Sequence, residues 1–445
     1  MITERAETAP RGPLGMNSYQ WTVLLAAWLG WGFDVFDGLL FNYVAPNCVP
    51  TLLHIPLGTP AAKAASQYWT GVLTSVLLLS WAAGGVLFGR VADRIGRTKT
   101  LLLTMLLYAA GTAACAFAPN ISVLLLCRIV GGLGIGGEWA AGAAMVAEVV
   151  PEKRRVEAGA LLYTSAPVGL FLATWVVHEI ARVLMPGHPE LSWRYIFLCG
   201  LIPAAVALLV RLWVREPERW RSAAERAAHP RLSELFSGPT RWLTLSGFLP
   251  AVTVLVTWWS CNAFIPGVAT GLAQETAQAL GLDKLHTSAL AEDWKQIATN
   301  AFNWGGLLGT LLTIPAAKLL GRRPMFAVYF VLSAAALFLT FGPPLAPLTR
   351  LHGYFFIGLT VFGVFGAFTY YLPELFPTRL RATGAGFCYN IGRVVASIGP
   401  FLVGSIAAQG AHSILQTLFW IGVVPLLGLC LLPWVMETRG RALTD

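Results

Sequence analysis

Twelve stretches of this sequence are apolar over a length that crosses a bilayer, and that pattern leaves few folds open. They lie near 21–46, 68–89, 100–118, 121–146, 157–179, 195–214, 241–265, 297–317, 325–342, 351–372, 382–408 and 413–435. A helix needs about 20 residues at about 1.5 Å each to span the hydrocarbon. Of the 445 residues 56% are apolar and 12% charged. A soluble domain carries ~25% charged residues, so the chain reads as an integral membrane protein. The expected fold class is all-α, with twelve transmembrane helices in two pseudo-symmetric six-helix bundles.

The net charge of +9 would suit a nucleic-acid partner, but the basic residues are scattered between the apolar runs. They read instead as topology signals. With the N-terminus inside, 23 Lys and Arg fall in inner segments and 6 in outer ones. That ratio puts both termini in the cytoplasm, and a bacterial inner membrane is the expected location. The polar first ~20 residues run straight into a full-length span, without the form of a cleavable signal. The expected organisation is a tail at 1–20, a first bundle at 21–214, a linker at 215–240, a second bundle at 241–435 and a tail at 436–445. The outer segment 267–296 is unusually long and acidic, and a short surface helix is expected there.

The two halves repeat at a near-constant shift. Glu148, Pro151 and Arg155 recur 226 positions later as Glu374, Pro377 and Arg381. Gly132, Gly137 and Tyr163 recur as Gly358, Gly363 and Tyr389. Six spans separate the copies, so both keep one orientation about an axis along the membrane normal. Such halves rock around a midplane site, and the chemistry should face their seam.

Charges inside spans then become the informative residues, since each costs about 2.5–3.5 kcal/mol at the bilayer centre. Asp34 and Asp37 stand three apart in the first span and so share a helix face. Arg128 in the fourth span lies at a depth matching Asp37 and is its expected partner, with Glu138 as a further titratable group. These four are the candidate proton-coupling residues. Arg393 lies halfway along the eleventh span with no acid near it on its own helix, and its guanidinium suits a carboxylate. Asn390 and Tyr389 accompany it, and Asn262 and Asn303 are further candidates for the cavity. Trp258, Trp259 and Trp304 sit beside those asparagines, although aromatics in apolar runs are more often packing. The loop Gly89-x3-Asp93-Arg94-x-Gly96-Arg97 joins the second and third spans and reads as a cytoplasmic gate, together with Glu148, Arg155, Glu374 and Arg381.

The loop GRVADRIGRTK, the span RIVGGLGIGGEW and the segment YLPELFPTRLRATGAGFCYNIGR resemble the recurrent motifs of the major facilitator superfamily over nearly the whole chain. DVFD followed by FNYVAP is similar to the first span of its aromatic-acid and sialate/lactate proton symporters. GGEWAAGAAMVAEVVPEKRR is closer to the sialate/lactate and metabolite–proton branches. GALLYTSAPVGLF stands where drug antiporters carry a glycine-rich motif. The resemblance implies alternating access, with Asp37 and Arg128 as a coupling pair. The expected activity is proton symport of a small organic anion such as a monocarboxylate, aromatic acid or sialate. The alternative is a uniporter or a sugar or neutral-metabolite carrier on the same scaffold. The expected partners are the anion, protons and the lipid bilayer, with the chain a monomer. No enzyme chemistry, cofactor, metal or nucleic-acid partner is expected. The seven cysteines, mostly inside apolar runs, read as small hydrophobes.

Overall fold

A computed structural model describes residues 15–440 except 96, 137–145, 147–149, 152–153, 203–204, 206–231, 378–379 and 410–413. The described chain is nearly all helix. Eight helical stretches are long and apolar enough to span a membrane: Ser18–Leu52, Pro60–Phe88, Val156–Leu184, Thr240–Ala279, Arg322–Phe341, Pro347–Leu375, Thr383–Ala408 and Ile414–Trp434. Two shorter apolar helices, Leu102–Cys115 and Ile121–Gly136, occupy the third and fourth runs. The eighth run lies within Lys284–Leu319, and the sixth begins in Pro189–Cys199. Each of the twelve apolar runs therefore falls on helix where it is described. The greater part of the expected linker, 206–231, lies outside the described residues. Its end forms a 3-10 turn, Leu232–Phe236, before the seventh span starts at Thr240.

The first span begins where Asn17 and Gln20 cap each other, each side chain accepting the other's main-chain N–H at 2.9 Å. It runs unbroken from Ser18 at one end of the bundle, the Ser18 end, to Leu52 at the other, the Leu52 end. The segment 267–296 is less of a loop than the sequence suggests. Ile265–Ala279 continues the seventh span, and Asp283 caps the long helix Lys284–Leu319 by accepting the N–H of His286 at 2.8 Å. Only a tight turn separates them, made by Gly281 at a φ of 66°.

The repeat in the sequence reappears in the packing. In the first half the second span packs on the fourth, and in the second half the eighth packs on the tenth. Lipid is as apolar as leucine, so helices associate here through close backbone approach at small residues. A Cβ at Gly134 would lie 2.6 Å from the Tyr108 N and 2.7 Å from the Thr104 carbonyl oxygen. A Cβ at Gly363 would lie 2.5 Å from the backbone of Gly309. The halves meet along two seams related by the same repeat: the second span against the eleventh, and the fifth against the eighth. On the first seam Ser75 donates to the Ser397 carbonyl at 2.5 Å. On the other, Thr174 and Thr299 hydroxyls lie 3.2 Å apart and Asn303 Nδ2 donates to Thr174 at 3.5 Å.

Polar links between the halves gather at both ends. At the Leu52 end, Asn47 donates to Glu292 at 3.1 Å, Lys63 pairs with Glu275 at 3.0 Å and Arg182 pairs with Asp293 at 3.0 Å. At the Ser18 end Lys318 pairs with Glu157 at 2.5 Å. Packing at the glycines can be tested directly. Gly134→Val should lower the apparent Tm and cost about 1–3 kcal/mol through overpacking. Gly386→Ala, where a Cβ would meet nothing within 4 Å, should leave it unchanged or raise it. Fluorescence-detected thermal unfolding of the purified protein reads both.

Candidate functional site

The tenth span changes its winding midway. Pro347–Ile357 is α-helical, Gly358–Phe362 widens to a π turn, Gly363–Ala367 tightens to a 3-10 turn, and α-helix resumes at Phe368. Such irregular turns recur where a span serves a site. This one turns Phe362 and Phe365 toward the seam, where six aromatic side chains close a ring drawn from both halves. Trp31 meets Trp81 at 6.3 Å between centroids, and Trp81 meets Trp259 at 6.0 Å. Trp259 meets Trp258 at 4.6 Å, and Trp258 meets Phe365 at 5.8 Å. Phe365 stacks on Tyr163 at 5.8 Å, and Tyr163 returns to Trp31 at 6.3 Å. The first, second and fifth spans supply half of the ring, and the seventh and tenth supply the rest.

Arg393 sits against this ring. Its guanidinium lies 4.3 Å from the Trp81 centroid and 4.5 Å from that of Tyr389, and its Nη1 donates to Asn390 Oδ1 at 2.9 Å. Only 2% of the residue is exposed. Asp34 is among the charges whose field Arg393 feels across the seam. Trp81 Nε1 and Trp258 Nε1 are buried donors without an acceptor among the described residues. Arg393, Asn390 and Tyr389, picked from the sequence, therefore come together. Asn262 is buried at the end of the seventh-span helix, and Asn303 joins the Thr174 seam instead of Arg393. Trp304 faces outward: it is 58% exposed and meets Phe171 edge-on at 4.9 Å. Trp31, Trp81, Tyr163 and Phe365 went unnoticed as site residues. The one available signal was the repeat, which pairs Tyr163 with Tyr389.

The two aspartates do not share surroundings, because positions three apart on a helix diverge by about 60°. Asp34 turns toward the seam and Asp37 into the first half. A Cβ at Gly200 would come within 2.6 Å of Asp37 Oδ1, so the carboxylate rests on that glycine of the sixth span, with Thr112 beside it. Arg128 is near, but no ion pair forms. Its Nη2 donates to the Gly38 carbonyl at 2.5 Å and its Nη1 to the Asp37 carbonyl at 3.4 Å, both main-chain groups. Neither Asp37 carboxylate oxygen has a hydrogen-bond partner among the described residues. The direct carboxylate–guanidinium contact expected from matching depth is thus replaced by a grip on the backbone of the first span. The guanidinium also lies 5.7 Å from the ring of Phe41.

The proton-coupling candidate Glu138 and the gate residues Gly96 and Glu148 lie outside the described residues, as do the surroundings of Gly89 and the side chains of Asp93, Arg94, Arg97 and Arg155. The second copy is described. Arg322 grips Glu374 with two bonds, at 2.7 and 3.0 Å, and Thr438 donates to the same carboxylate at 2.6 Å. Arg381 donates to the Pro373 carbonyl at 3.1 Å. Glu437 accepts the N–H groups of Arg322 and Arg323 at the start of the ninth-span helix, at 2.9 and 3.0 Å. Partial burial pushes its carboxyl up, but those N–H groups outweigh it and hold the group below the ordinary glutamate value.

Residues 27–288 match the family described as Major Facilitator Superfamily. The chain belongs to that superfamily. A Cupriavidus pinatubonensis protein named "Probable 4-methylmuconolactone transporter" is 30% identical over 94% of this chain and 91% of its own length. A gentisate transporter of Corynebacterium glutamicum is 26% identical over 86% of this chain and 81% of its own. A sialic acid transporter of Escherichia coli is 26% identical over 92% of each. Among solved structures, the Escherichia coli xylose transporter in a partially occluded inward-open conformation superposes with a TM-score of 0.68. That match covers 96% of this chain and all of the other at 18% identity, and it shows the fold alone. The chain is an integral membrane transporter of small organic metabolites, and not an enzyme.

The geometry around Arg393 makes its own prediction. Trp81→Ala removes one of the two faces that hold the guanidinium, each worth about 0.5–2 kcal/mol. If Arg393 receives the cargo, affinity should fall several-fold, while Trp81→Phe should recover most of the loss. Equilibrium binding on the purified variants measures both.

Proposed function

We propose that this transporter is a proton symporter of planar, unsaturated carboxylates, with aromatic acids as the cargo class. The carrying observation is a buried arginine held against a closed ring of aromatic side chains that both halves build. A guanidinium offers a carboxylate two parallel donors, and aromatic faces offer a flat ring 4.5–7 Å stacking partners on either side. The unanswered N–H groups of Trp81 and Trp258 favour a cargo with further oxygen acceptors. The gentisate named for one relative is such a molecule, and the methylmuconolactone named for another carries an unsaturated lactone ring. The sialic acid of a third is neither flat nor unsaturated, and this ring is a poor match for it.

In the cycle we envisage, the Leu52 end faces outward, following the distribution of basic residues, and both termini face the cytoplasm of a bacterial cell. Asp37 takes a proton from outside, and Arg128 relaxes its hold on the first span. Cargo replaces Asp34 as the negative charge that Arg393 feels. With both charges answered, the halves 21–214 and 241–435 rock about the seam and open inward.

Uptake into proteoliposomes under an imposed inward proton gradient tests this. Accumulation of radiolabelled benzoate or 2,5-dihydroxybenzoate should follow the gradient, and lactate or xylose should compete poorly. Asp37→Asn should abolish accumulation but leave exchange of labelled for unlabelled cargo within about threefold, since exchange needs no net proton transfer. Uptake indifferent to the gradient removes symport, and competition by xylose moves the reading to a sugar carrier.

A further inference from the structure

A cavity with several polar side chains lies away from the aromatic ring, at the Leu52 end between the first, second and seventh spans. It is lined by Asn42, Lys63, Gln67, Thr70, Thr270 and Gln274. Asn42 is 3% exposed and its Oδ1 accepts the Thr74 hydroxyl at 3.1 Å. Its Nδ2 and the Thr270 hydroxyl are both buried without a partner among the described residues. Asn42 stands eight residues beyond Asp34, about 12 Å further along the helix. The cavity is thus separate from the Arg393 site.

Lys63 bridges this cavity. Its Nζ would lie 3.2 Å from a Cβ at Gly271, so the ammonium rests on that glycine, and it pairs with Glu275 one turn further on. The two side chains are 40% and 65% exposed, so solvent screens the pair and exchanging one carboxylate for another costs little. Gly267, one turn earlier, faces open space, since a Cβ there meets nothing within 4 Å. The cavity therefore offers a cation, a buried amide N–H and a hydroxyl, with room beside them.

We propose that this cavity is an entry docking site for the carboxylate cargo, in which Lys63 and Asn42 hold its oxygens and Glu275 is the carboxylate displaced. This rests on the carboxylate reading of the transporter. Docking there breaks a link between the two halves at the end that must open, so arrival of cargo favours opening.

Binding of radiolabelled benzoate to the full-length protein in nanodiscs tests the proposal. Two sites are expected, with the tighter lost in Arg393→Ala and the weaker kept. Lys63→Gln should weaken the second site about tenfold, the loss of one charge-assisted bond. Gly267→Leu should fill the cavity and remove it. Retention of the tighter site in both variants shows that they fold. A single wild-type site abolished by Arg393→Ala overturns the docking site and leaves the functional reading standing. So does a weaker site untouched by both variants, or one displaced equally by chloride. Absence of any benzoate binding or uptake overturns the functional reading itself.

Discussion

A guanidinium lies between two aromatic faces at the centre of an apolar bundle, and the organisation of the seam follows from it. Removing an ion from water costs several kcal/mol even after relaxation. Trp81 and Tyr389 replace part of that hydration with π faces, and Asn390 supplies an acceptor. Trp81 belongs to the second span, while Tyr389, Asn390 and Arg393 belong to the eleventh. The cation is therefore fully surrounded only when the halves are together along that seam. Any motion that parts the second and eleventh spans exposes it. In the proposed cycle a carboxylate on Arg393 would make that exposure cheaper, which would tie occupancy of the site to the relative position of the halves without a separate relay.

The ring beside Arg393 exists because the spans behind it approach unusually closely. In the second half, glycines of the eighth span allow the tenth to come near enough for its backbone to change winding, and that change directs Phe362 and Phe365 inward. In the first half, the glycines of the fourth span bring the second close, and Trp81 emerges on the seam side. The same packing rule serves both halves, yet the side chains it delivers differ. The repeat keeps the scaffold, and the site is built from what the two copies do not share, apart from Tyr163 and Tyr389.

That division also explains what could be read from the chain alone. Span positions follow from hydrophobic length, and the repeat from glycines and charged loop residues. Both are local properties with strong constraints. Arg393 and the aspartates stood out because a charge in a span needs a reason. Trp31, Trp81 and Phe365 did not, since an aromatic in an apolar run is compatible with packing, lipid or a site, and only the fold distinguishes these. Trp304 illustrates the converse, sharing its neighbourhood in sequence with Asn303 and yet facing outward. Matching depth brought Arg128 correctly near Asp37 but could not say which atoms would meet. The guanidinium donates to the main-chain carbonyls of Gly38 and Asp37 instead.

The grip of Arg128 on the first span bears on how the two aspartates can communicate. Asp37 lies among spans of its own half, and Asp34 lies on the seam, yet they are one helical turn apart. A change of charge at Asp37 alters what Arg128 is attracted to, and Arg128 holds the backbone at Asp37 and Gly38. Rotation of that turn by even a few degrees moves Asp34 relative to Arg393. Links at the ends of the bundle are weaker candidates for this role. Lys63–Glu275 and Arg182–Asp293 are substantially exposed, and pairs of that kind contribute about 0–1 kcal/mol. They set which residues face each other when the end closes. The larger contact between the halves is the packing along the seams, and under the proposed symport the first span is the element through which a proton would reach that packing.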